Sequence, residues 1–216
     1  MNTIPLQVKL KRGLHRRIAR AQDMIVEEIY TFFPKAVLYG GTGIWRIYSG
    51  KRFSEDLDFY LDKDETKIKE FFSTLEGKGF KIIKRKISEN SIYSEFELDR
   101  DLIRFEATFQ KISGILCDYE MSDGNIMTVY SLSAEDFFIE KINTYLKRFK
   151  VRDLWDIFFL LRKITNLDIK LLDKFIKTYQ QPIDETDLKS IILEGIVPSS
   201  DEMFNYIKQR WEKQNT

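Results

Sequence analysis

The sequence is poor in the residues that build disulfide frameworks and zinc sites. Its 216 residues include one cysteine, Cys117, and one histidine, His15, which excludes an intrachain disulfide framework and a zinc cluster. His15 lies in a basic run, and we do not expect it to act as a general base, because such a base needs partners placed around it. The chain also lacks an apolar run of about 18 residues and a signal-peptide core, so we expect a cytoplasmic protein without a membrane span.

Neither sign of charge dominates. Lysine and arginine total 35, aspartate and glutamate total 34, and the net charge is +1. A near-neutral chain does not favour nucleic-acid binding over its whole surface, so any RNA contact should be local. Two basic runs are candidates for such a contact, although runs of this kind are also typical of solvated faces. They comprise Lys9, Lys11, Arg12, Arg16, Arg17 and Arg20 in the first run and Lys81, Lys84, Arg85 and Lys86 in the second.

Hydrophobic residues make up 43% of the chain and aromatic residues 14%, which indicates a globular protein with one sizeable core or two small ones. Residues 8–33 are predicted to form one amphipathic helix or two joined ones, and further helices are predicted over residues 42–48, 62–78, 134–148, 152–163, 169–178, 185–194 and 200–214. The predicted strands cover residues 36–39, 53–61, 80–87, 92–98, 102–109 and 127–130. We therefore predict an α+β core with a mixed sheet in residues 1–132 and a helical C-terminal region in residues 133–216.

Two aspartates on one predicted strand, Asp56 and Asp58, are the first candidates for chemistry. Their spacing puts both carboxylates on one face of the strand, opposite Leu57 and Phe59. Aspartate is disfavoured in strands, and like charges this close repel each other unless a cation lies between them. Oxygen ligands of this kind suit Mg²⁺, which is usually held by one or two carboxylates plus substrate phosphates. The strand therefore predicts a metal site at Asp56 and Asp58.

A double glycine, Gly40 and Gly41, lies upstream of this strand. The two glycines let the backbone bend sharply and let a phosphate approach closely, and the predicted helix that follows offers free N–H groups to an anion. The hydroxyls of Thr42 and Ser54 are candidates to donate to the phosphates of a nucleotide, or else to cap the helix and bond a turn. A phosphate cradle beside a carboxylate pair is what nucleotidyl transfer needs.

These residues follow the pattern G-G-T/S, an arginine, then S-x-D-x-D, with Arg52 as the arginine in front of Ser54. Further on, Lys141 lies on a predicted helix that is followed by the sequence Arg-Asp-Leu-Trp-Asp at residues 152–156. The two motifs in this order resemble the nucleotidyltransferase superfamily related to DNA polymerase β, and within it the AbiEii-type toxin family of type IV toxin–antitoxin systems. The resemblance covers about residues 37–161.

The resemblance implies a polymerase β-like core, Mg²⁺ or Mn²⁺ as the cofactor and a nucleoside triphosphate (NTP) as the substrate. It also implies a third carboxylate on a neighbouring strand, which helps to hold a second metal and to activate the attacking hydroxyl. Glu106 is the best candidate, because it shares a face of its predicted strand with Arg104 while Phe105 faces the core. Glu95 and Glu97 on the preceding strand are the alternatives.

A lysine between apolar neighbours on a helix, such as Lys141, is usually a surface residue. By resemblance it instead meets the triphosphate, as a point charge that can follow a moving phosphate. Asp153 and Asp156 have two candidate roles, which are tying two helices together by ion pairs and orienting either Lys141 or Asp56. Arg52 is expected to pair with a phosphate or with the neighbouring Glu55.

The resemblance implies that the protein transfers a nucleoside monophosphate (NMP) to the 3′ end of a tRNA or to a protein hydroxyl. It further implies a toxin that a separately encoded antitoxin neutralises. Two alternatives stay open at this point. One is an aminoglycoside-type or other small-molecule nucleotidyltransferase, which would need an acidic pocket for a cationic acceptor, and the other is a catalytically idle binding protein on the same fold.

Overall fold

The structure, a computed structural model, describes residues 4–165 and 168–213. These residues divide into two compact units. The first comprises the residues up to Ser49 together with Phe53–Leu132, and the second comprises Gly50–Arg52 together with the residues from Ser133 onward. The short segment Gly50–Arg52 therefore belongs with the C-terminal helices. The division into a domain of residues 1–132 and a domain of residues 133–216 stays a prediction.

Helices and strands alternate in the first unit, as the periodicity predicts. The elements are α1 (Leu6–Lys9), α2 (Gly13–Phe32), β1 (Val37–Tyr39), α3 (Gly40–Ile47), β2 (Asp56–Leu61), α4 (Glu65–Gly77), β3 (Lys81–Ile87), β4 (Ser91–Leu98), β5 (Asp101–Phe109), β6 (Ile115–Glu120) and β7 (Ile126–Ser131). The N-terminal helical segment is thus two helices. The sequence pattern does not predict strand β6, because it is an edge strand in which Tyr119 is buried while most of its neighbours are exposed, so it lacks a clear period of two.

Within the described residues the seven strands form one mixed sheet in the order β3-β4-β5-β2-β1-β7-β6. At its centre β2 pairs in parallel with β5 and antiparallel with β1. One face of these strands is apolar, since Leu57, Phe59 and Phe105 are fully buried. The rings of Phe71 on α4 and Phe105 lie 5.5 Å apart, so α4 packs on this core face. The opposite face of β2 carries Asp56 and Asp58, as predicted.

Strands β4 and β5 form an antiparallel hairpin. Its turn residues Asp99 and Arg100 both have positive φ, at 52° and 69°, which is the backbone conformation of the tight turns that match strand twist. The hairpin places β5 between β4 and β2, and so it brings the carboxylates of three strands to one face of the sheet.

The second unit is helical, with α5 (Ala134–Arg148), α6 (Val151–Leu160), α7 (Ile169–Thr178), a 3₁₀ turn (Glu185–Asp187), α8 (Leu188–Ile191) and α9 (Ser200–Glu212). The side chain of Ser133 accepts a hydrogen bond from the Asp136 N–H and caps α5. The helix predicted over residues 185–194 is wrong beyond α8, because Ile192 is extended and forms a β-bridge with Arg52. The predicted end of the last helix, at residue 214, lies outside the described residues.

No helix in residues 4–165 and 168–213 is long and apolar enough to span a membrane.

Candidate active site

Gly40 and Asp58 are in close contact at the start of α3. Gly40 has a φ of +71°, which favours glycine, and a Cβ added to it would overlap the Asp58 carboxylate. The absence of a side chain at this position therefore lets the backbone of the first turn of α3 approach the carboxylate. The glycine at this position is therefore a structural requirement, because it accommodates Asp58, and the close approach of a phosphate to this turn stays a prediction.

The two candidate hydroxyls differ in what they already bind. Thr42 is fully buried, and its Oγ1 donates to the carbonyl oxygen of Asp56 at 2.5 Å. Because a hydroxyl has one hydrogen to donate, this bond favours a structural role for Thr42 in joining α3 to β2. The Ser54 hydroxyl has no hydrogen-bond partner among the residues described, while its backbone oxygen accepts from Gln22 Nε2 at 2.9 Å. Ser54 is therefore the better candidate for a phosphate donor.

The third carboxylate is the register neighbour of Asp58. On the parallel pair of β2 and β5, Asp58 is opposite Glu106 and Asp56 is opposite Arg104. Parallel strands lie about 4.8 Å apart, so Glu106 stands next to the aspartate strand with its side chain on the same face. The alternatives, Glu95 and Glu97, lie one strand further away, on β4. The register therefore favours Glu106, whose metal-binding role stays a prediction.

Arg104 is a cation on the same face as these carboxylates, and the sequence patterns assign it no role. Its Nη1 lies 3.4 Å from Asp56 Oδ1. The charge of Asp56 is the main cause that raises the pKa of Arg104, and Tyr93 and Glu106 also raise it. The alternation along β5 that identifies Glu106 also places Arg104 on this face, so the sequence contained the signal.

These carboxylates fit a metal ion that binds together with its nucleotide. In the part of the chain that the structure describes, no group of three or more His, Cys, Asp or Glu side chains is gathered closely enough to hold a metal. Asp56, Asp58 and Glu106 nevertheless share one face at neighbouring register positions. Mg²⁺ is commonly held by one or two carboxylates, with substrate phosphates and waters as the other ligands. The donor set suits that arrangement rather than a complete protein cage.

The second unit contains a buried ion network built on α6. Asp156 accepts from Arg52 through both oxygens, at 2.7 and 2.6 Å, and Asp153 accepts from Arg148 in the same way, at 2.7 and 2.8 Å. Both aspartates are fully buried, and two-pronged arginine–carboxylate pairs are strong and directional. The predicted ion pair of Arg52 with Glu55 is not the one that forms. The Arg52 guanidinium instead pairs with Asp156, which is 104 residues away in the sequence. The predicted tie between helices is present as Arg148 of α5 with Asp153 of α6.

Lys141 lies between these two pairs. Its side chain is 4% exposed, and its Nζ is 3.8 Å from Asp153 Oδ1 and 3.7 Å from Asp156 Oδ2. These distances are too long for hydrogen bonds, and none of the described residues accepts a hydrogen bond from this ammonium. The interpretation of Lys141 as an ordinary surface lysine is therefore wrong, because its side chain is buried. It lies beside two aspartates that accept their hydrogen bonds from arginines instead.

The remaining carboxylate near Lys141 belongs to Glu140. Burial raises the pKa of Glu140, which opposes its ionisation, and its Oε2 is buried with no hydrogen-bond partner in the described residues. Burial would also raise the pKa of Asp153, but the hydrogen bonds from Arg148 and the charge of Lys141 outweigh it and lower the pKa. The network thus places three cationic side chains around Asp153 and Asp156, next to a glutamate whose ionisation burial opposes.

A model of the nucleotidyl transferase AbiEii toxin, type IV toxin–antitoxin system, matches residues 26–212. The chain belongs to this family. It is accordingly a nucleotidyltransferase of the toxin class, which favours the toxin interpretation over the aminoglycoside-type and idle alternatives. AbiEii membership implies an NTP substrate, a divalent metal and an antitoxin partner. The match also extends beyond residues 37–161 at both ends.

Solved structures show the same fold. MenT4, a nucleotidyltransferase toxin from Mycobacterium tuberculosis H37Rv, superposes with a TM-score of 0.64 and 16% identity, over 93% of this chain and 84% of MenT4. JHP933 from Helicobacter pylori gives a TM-score of 0.58 and 20% identity, over 91% of this chain and 94% of JHP933. At such identities the likeness shows the polymerase β-like fold alone. A comparison with curated proteins finds no match.

Proposed function

We propose that this AbiEii-family protein transfers an NMP from an NTP to an acceptor hydroxyl, with Asp56 and Asp58 holding Mg²⁺ or Mn²⁺. The observation that carries the proposal is the close contact of Gly40 with Asp58, beside Asp56 and Glu106 on one face of adjacent strands. It brings oxygen ligands for a cation next to the N-terminal turn of α3, where backbone N–H groups favour an anion.

In the proposed reaction the acceptor oxygen attacks the α-phosphorus of the NTP, the bond from that phosphorus to the bridging oxygen breaks, and pyrophosphate leaves. Glu106 takes the proton of the acceptor hydroxyl, and Ser54 donates to a phosphate oxygen. A bound divalent ion neutralises phosphate charge and lowers the pKa of the hydroxyl. Because the protein forms no covalent bond with the substrate, positioning and charge neutralisation supply most of the rate.

Lys141 is proposed to bind the triphosphate. The argument is geometric, since its side chain is 4% exposed and its ammonium lies too far from Asp153 and Asp156 to donate a hydrogen bond to either. A buried charge without hydrogen bonds is costly, and an anionic ligand removes that cost. Arg52, bonded to Asp156 through two nitrogens, is proposed to hold this network in place.

The acceptor is proposed to be the 3′ end of a tRNA, with a protein hydroxyl as the second candidate. The antitoxin is a separately encoded partner, as in other type IV systems, and the cytoplasmic location predicted from the sequence stays a prediction. A small-molecule acceptor of the aminoglycoside type has no observation in its favour beyond the shared chemistry.

The test is to incubate the protein with each α-labelled NTP, total RNA and protein extract, and to follow the label. We expect transfer to one acceptor class by the wild type, and a loss of at least about 100-fold in Asp56→Asn and Asp58→Asn, because both remove a metal ligand. Asp62→Asn, an exposed aspartate just beyond the same strand, is the matched control and should keep wild-type activity. Transfer by both active-site variants at more than a few per cent of the wild-type rate would refute the two-carboxylate site.

A further inference from the structure

The two basic runs of the sequence lie on different sides of the sheet unit. The first run leads into α2, where Arg17 bonds Asp101 at 2.5 Å, and Asp101 shares the core-facing side of β5 with Ile103. The second run is strand β3, an edge strand that pairs with β4. Its alternation puts Lys84 and Lys86 on the opposite side, the one that carries the catalytic carboxylates.

Strand register connects this second run to the carboxylates directly. One row across four strands contains Lys86, Tyr93, Glu106 and Asp58. The next row contains Lys84, Glu95, Arg104 and Asp56. Three strand spacings separate the lysines from the aspartates, which is about 14 Å. A ligand that lies across these strands therefore contacts β3 while its end lies at the carboxylates.

The charges of this surface favour a polyanion at β3. Lys81 is neutralised by Glu97 at 3.2 Å, and the Tyr93 hydroxyl donates to Glu95. Lys84 and Lys86 form no ion pair with any of the residues that the structure describes. Both are exposed, so their charge is available to a ligand.

The same surface has a shape that suits a nucleotide chain. A depression of about 440 Å³ is lined by Lys84, Lys86, Ser88, Ser91 and Tyr93. The Lys84 ammonium lies 4.7 Å from the centre of the Tyr93 ring, so one face of the ring makes a cation–π contact. Lysines beside an aromatic ring are the combination that binds single-stranded nucleic acid, through backbone phosphates and base stacking.

We propose that the acceptor is an RNA whose single-stranded end crosses β3, β4 and β5, with phosphates bound by Lys84 and Lys86 and a base or ribose against Tyr93. The inference rests on the proposed function, because the position of the proposed catalytic carboxylates determines where the acceptor end of the RNA lies. It assigns acceptor binding to the second basic run and leaves the N-terminal run as a solvated face.

The experiment measures binding of a fluorescently labelled tRNA acceptor-stem hairpin with a single-stranded 3′ end, by anisotropy over a range of salt concentrations. In Lys84→Ala/Lys86→Ala we expect weaker binding and a log–log salt slope that is flatter by about 1.4 to 1.8, since each phosphate contact contributes about 0.7 to 0.9. Lys11→Ala/Arg16→Ala removes the same charge from the other run and should change neither quantity. Tyr93→Leu should weaken binding by about fivefold or more, whereas Tyr93→Phe keeps the ring and should bind like the wild type.

Titration with a non-hydrolysable NTP, together with the thermal midpoint, shows whether each variant is folded, and both should match the wild type. The inference would be overturned by wild-type RNA affinity and salt slope in the Lys84/Lys86 variant, or by a loss of RNA affinity only in the Lys11/Arg16 variant. Label transfer to RNA would still support the proposed function in either case. Label transfer to a protein, with no RNA binding by the wild type, would overturn the RNA inference but not NMP transfer. No label transfer to any acceptor would count against the proposed function itself.

Discussion

Arg104 Nη1 lies 3.4 Å from Asp56 Oδ1, across the parallel pair of β5 and β2. The protein therefore presents its own cation to one of the two carboxylates that are proposed to hold a metal. The raised pKa of Arg104, caused mainly by Asp56, means that the guanidinium keeps its charge throughout the physiological range. A divalent ion at Asp56 has to compete with this charge, or displace it.

This relationship predicts that Arg104→Ala binds Mn²⁺ more tightly than the wild type in the absence of nucleotide. The expected gain is about two- to fivefold, since the arginine is nearly half exposed and exposed ion pairs contribute at most about 1 kcal/mol. Electron paramagnetic resonance of free Mn²⁺ measures it. Leu102→Ala, an exposed change on the same face of the same strand, should leave the affinity unchanged. Equal or weaker Mn²⁺ binding by Arg104→Ala would show that the guanidinium does not compete with the metal.

Gly40→Ala should destabilise the protein and abolish transfer. The substitution forces a positive φ on a residue with a side chain, which costs about 1–2 kcal/mol, and its Cβ overlaps Asp58. Gly77→Ala is the matched control, because a Cβ there meets nothing within 4 Å and its φ is not in the left-handed region. Urea unfolding compares the two variants, and a Gly40→Ala protein as stable and active as Gly77→Ala would contradict the close contact.

Lys141→Ala should weaken the binding of a non-hydrolysable NTP by at least about tenfold, because it removes the cation whose donors are unused. Calorimetric titration gives the dissociation constant. Lys147→Ala, an exposed lysine on the same helix, is the control for charge and helix propensity. An unchanged dissociation constant in Lys141→Ala, with a lowered thermal midpoint, would mean that the lysine stabilises the network and does not contact phosphate.

Glu140→Gln should raise stability at neutral pH and change it little in acid. Burial raises the pKa of Glu140 above its ordinary value of 4.5, so its carboxyl favours folding below that pH and this contribution is lost as the pH rises through the folded-state pKa. The gain in thermal midpoint from Glu140→Gln should therefore grow between pH 5 and pH 8. Glu89→Gln, at an exposed position, should show no such trend. A gain in thermal midpoint that does not change with pH would show that ionisation of Glu140 is not its cause.

Local patterns predicted the parts of the molecule that depend on neighbouring residues. The alternation around Asp56 and Asp58 gave a strand with one apolar and one acidic face, because successive side chains of a strand must point to opposite sides. The Ser133 cap and the hairpin turn at Asp99 were likewise predictable, since each involves residues only a few positions apart.

Tertiary structure decided everything that depends on which elements become neighbours. The partner of Arg52 is Asp156 rather than the adjacent Glu55, because buried ion pairing joins segments that are distant in sequence. The preference for Glu106 over the glutamates of β4 follows from the parallel register of β2 with β5, which no local pattern specifies.

The two basic runs illustrate the same limit. The sequence determined that both exist and that a near-neutral chain needs a local RNA site, but their residues look equally solvated when each run is considered by itself. Only the sheet order places Lys84 and Lys86 in the same rows as Asp56 and Asp58. The reason is physical. Strand periodicity determines on which side of its own strand a residue lies, whereas the hydrogen-bonded register between distant strands determines which residues of the other strands lie on the same side.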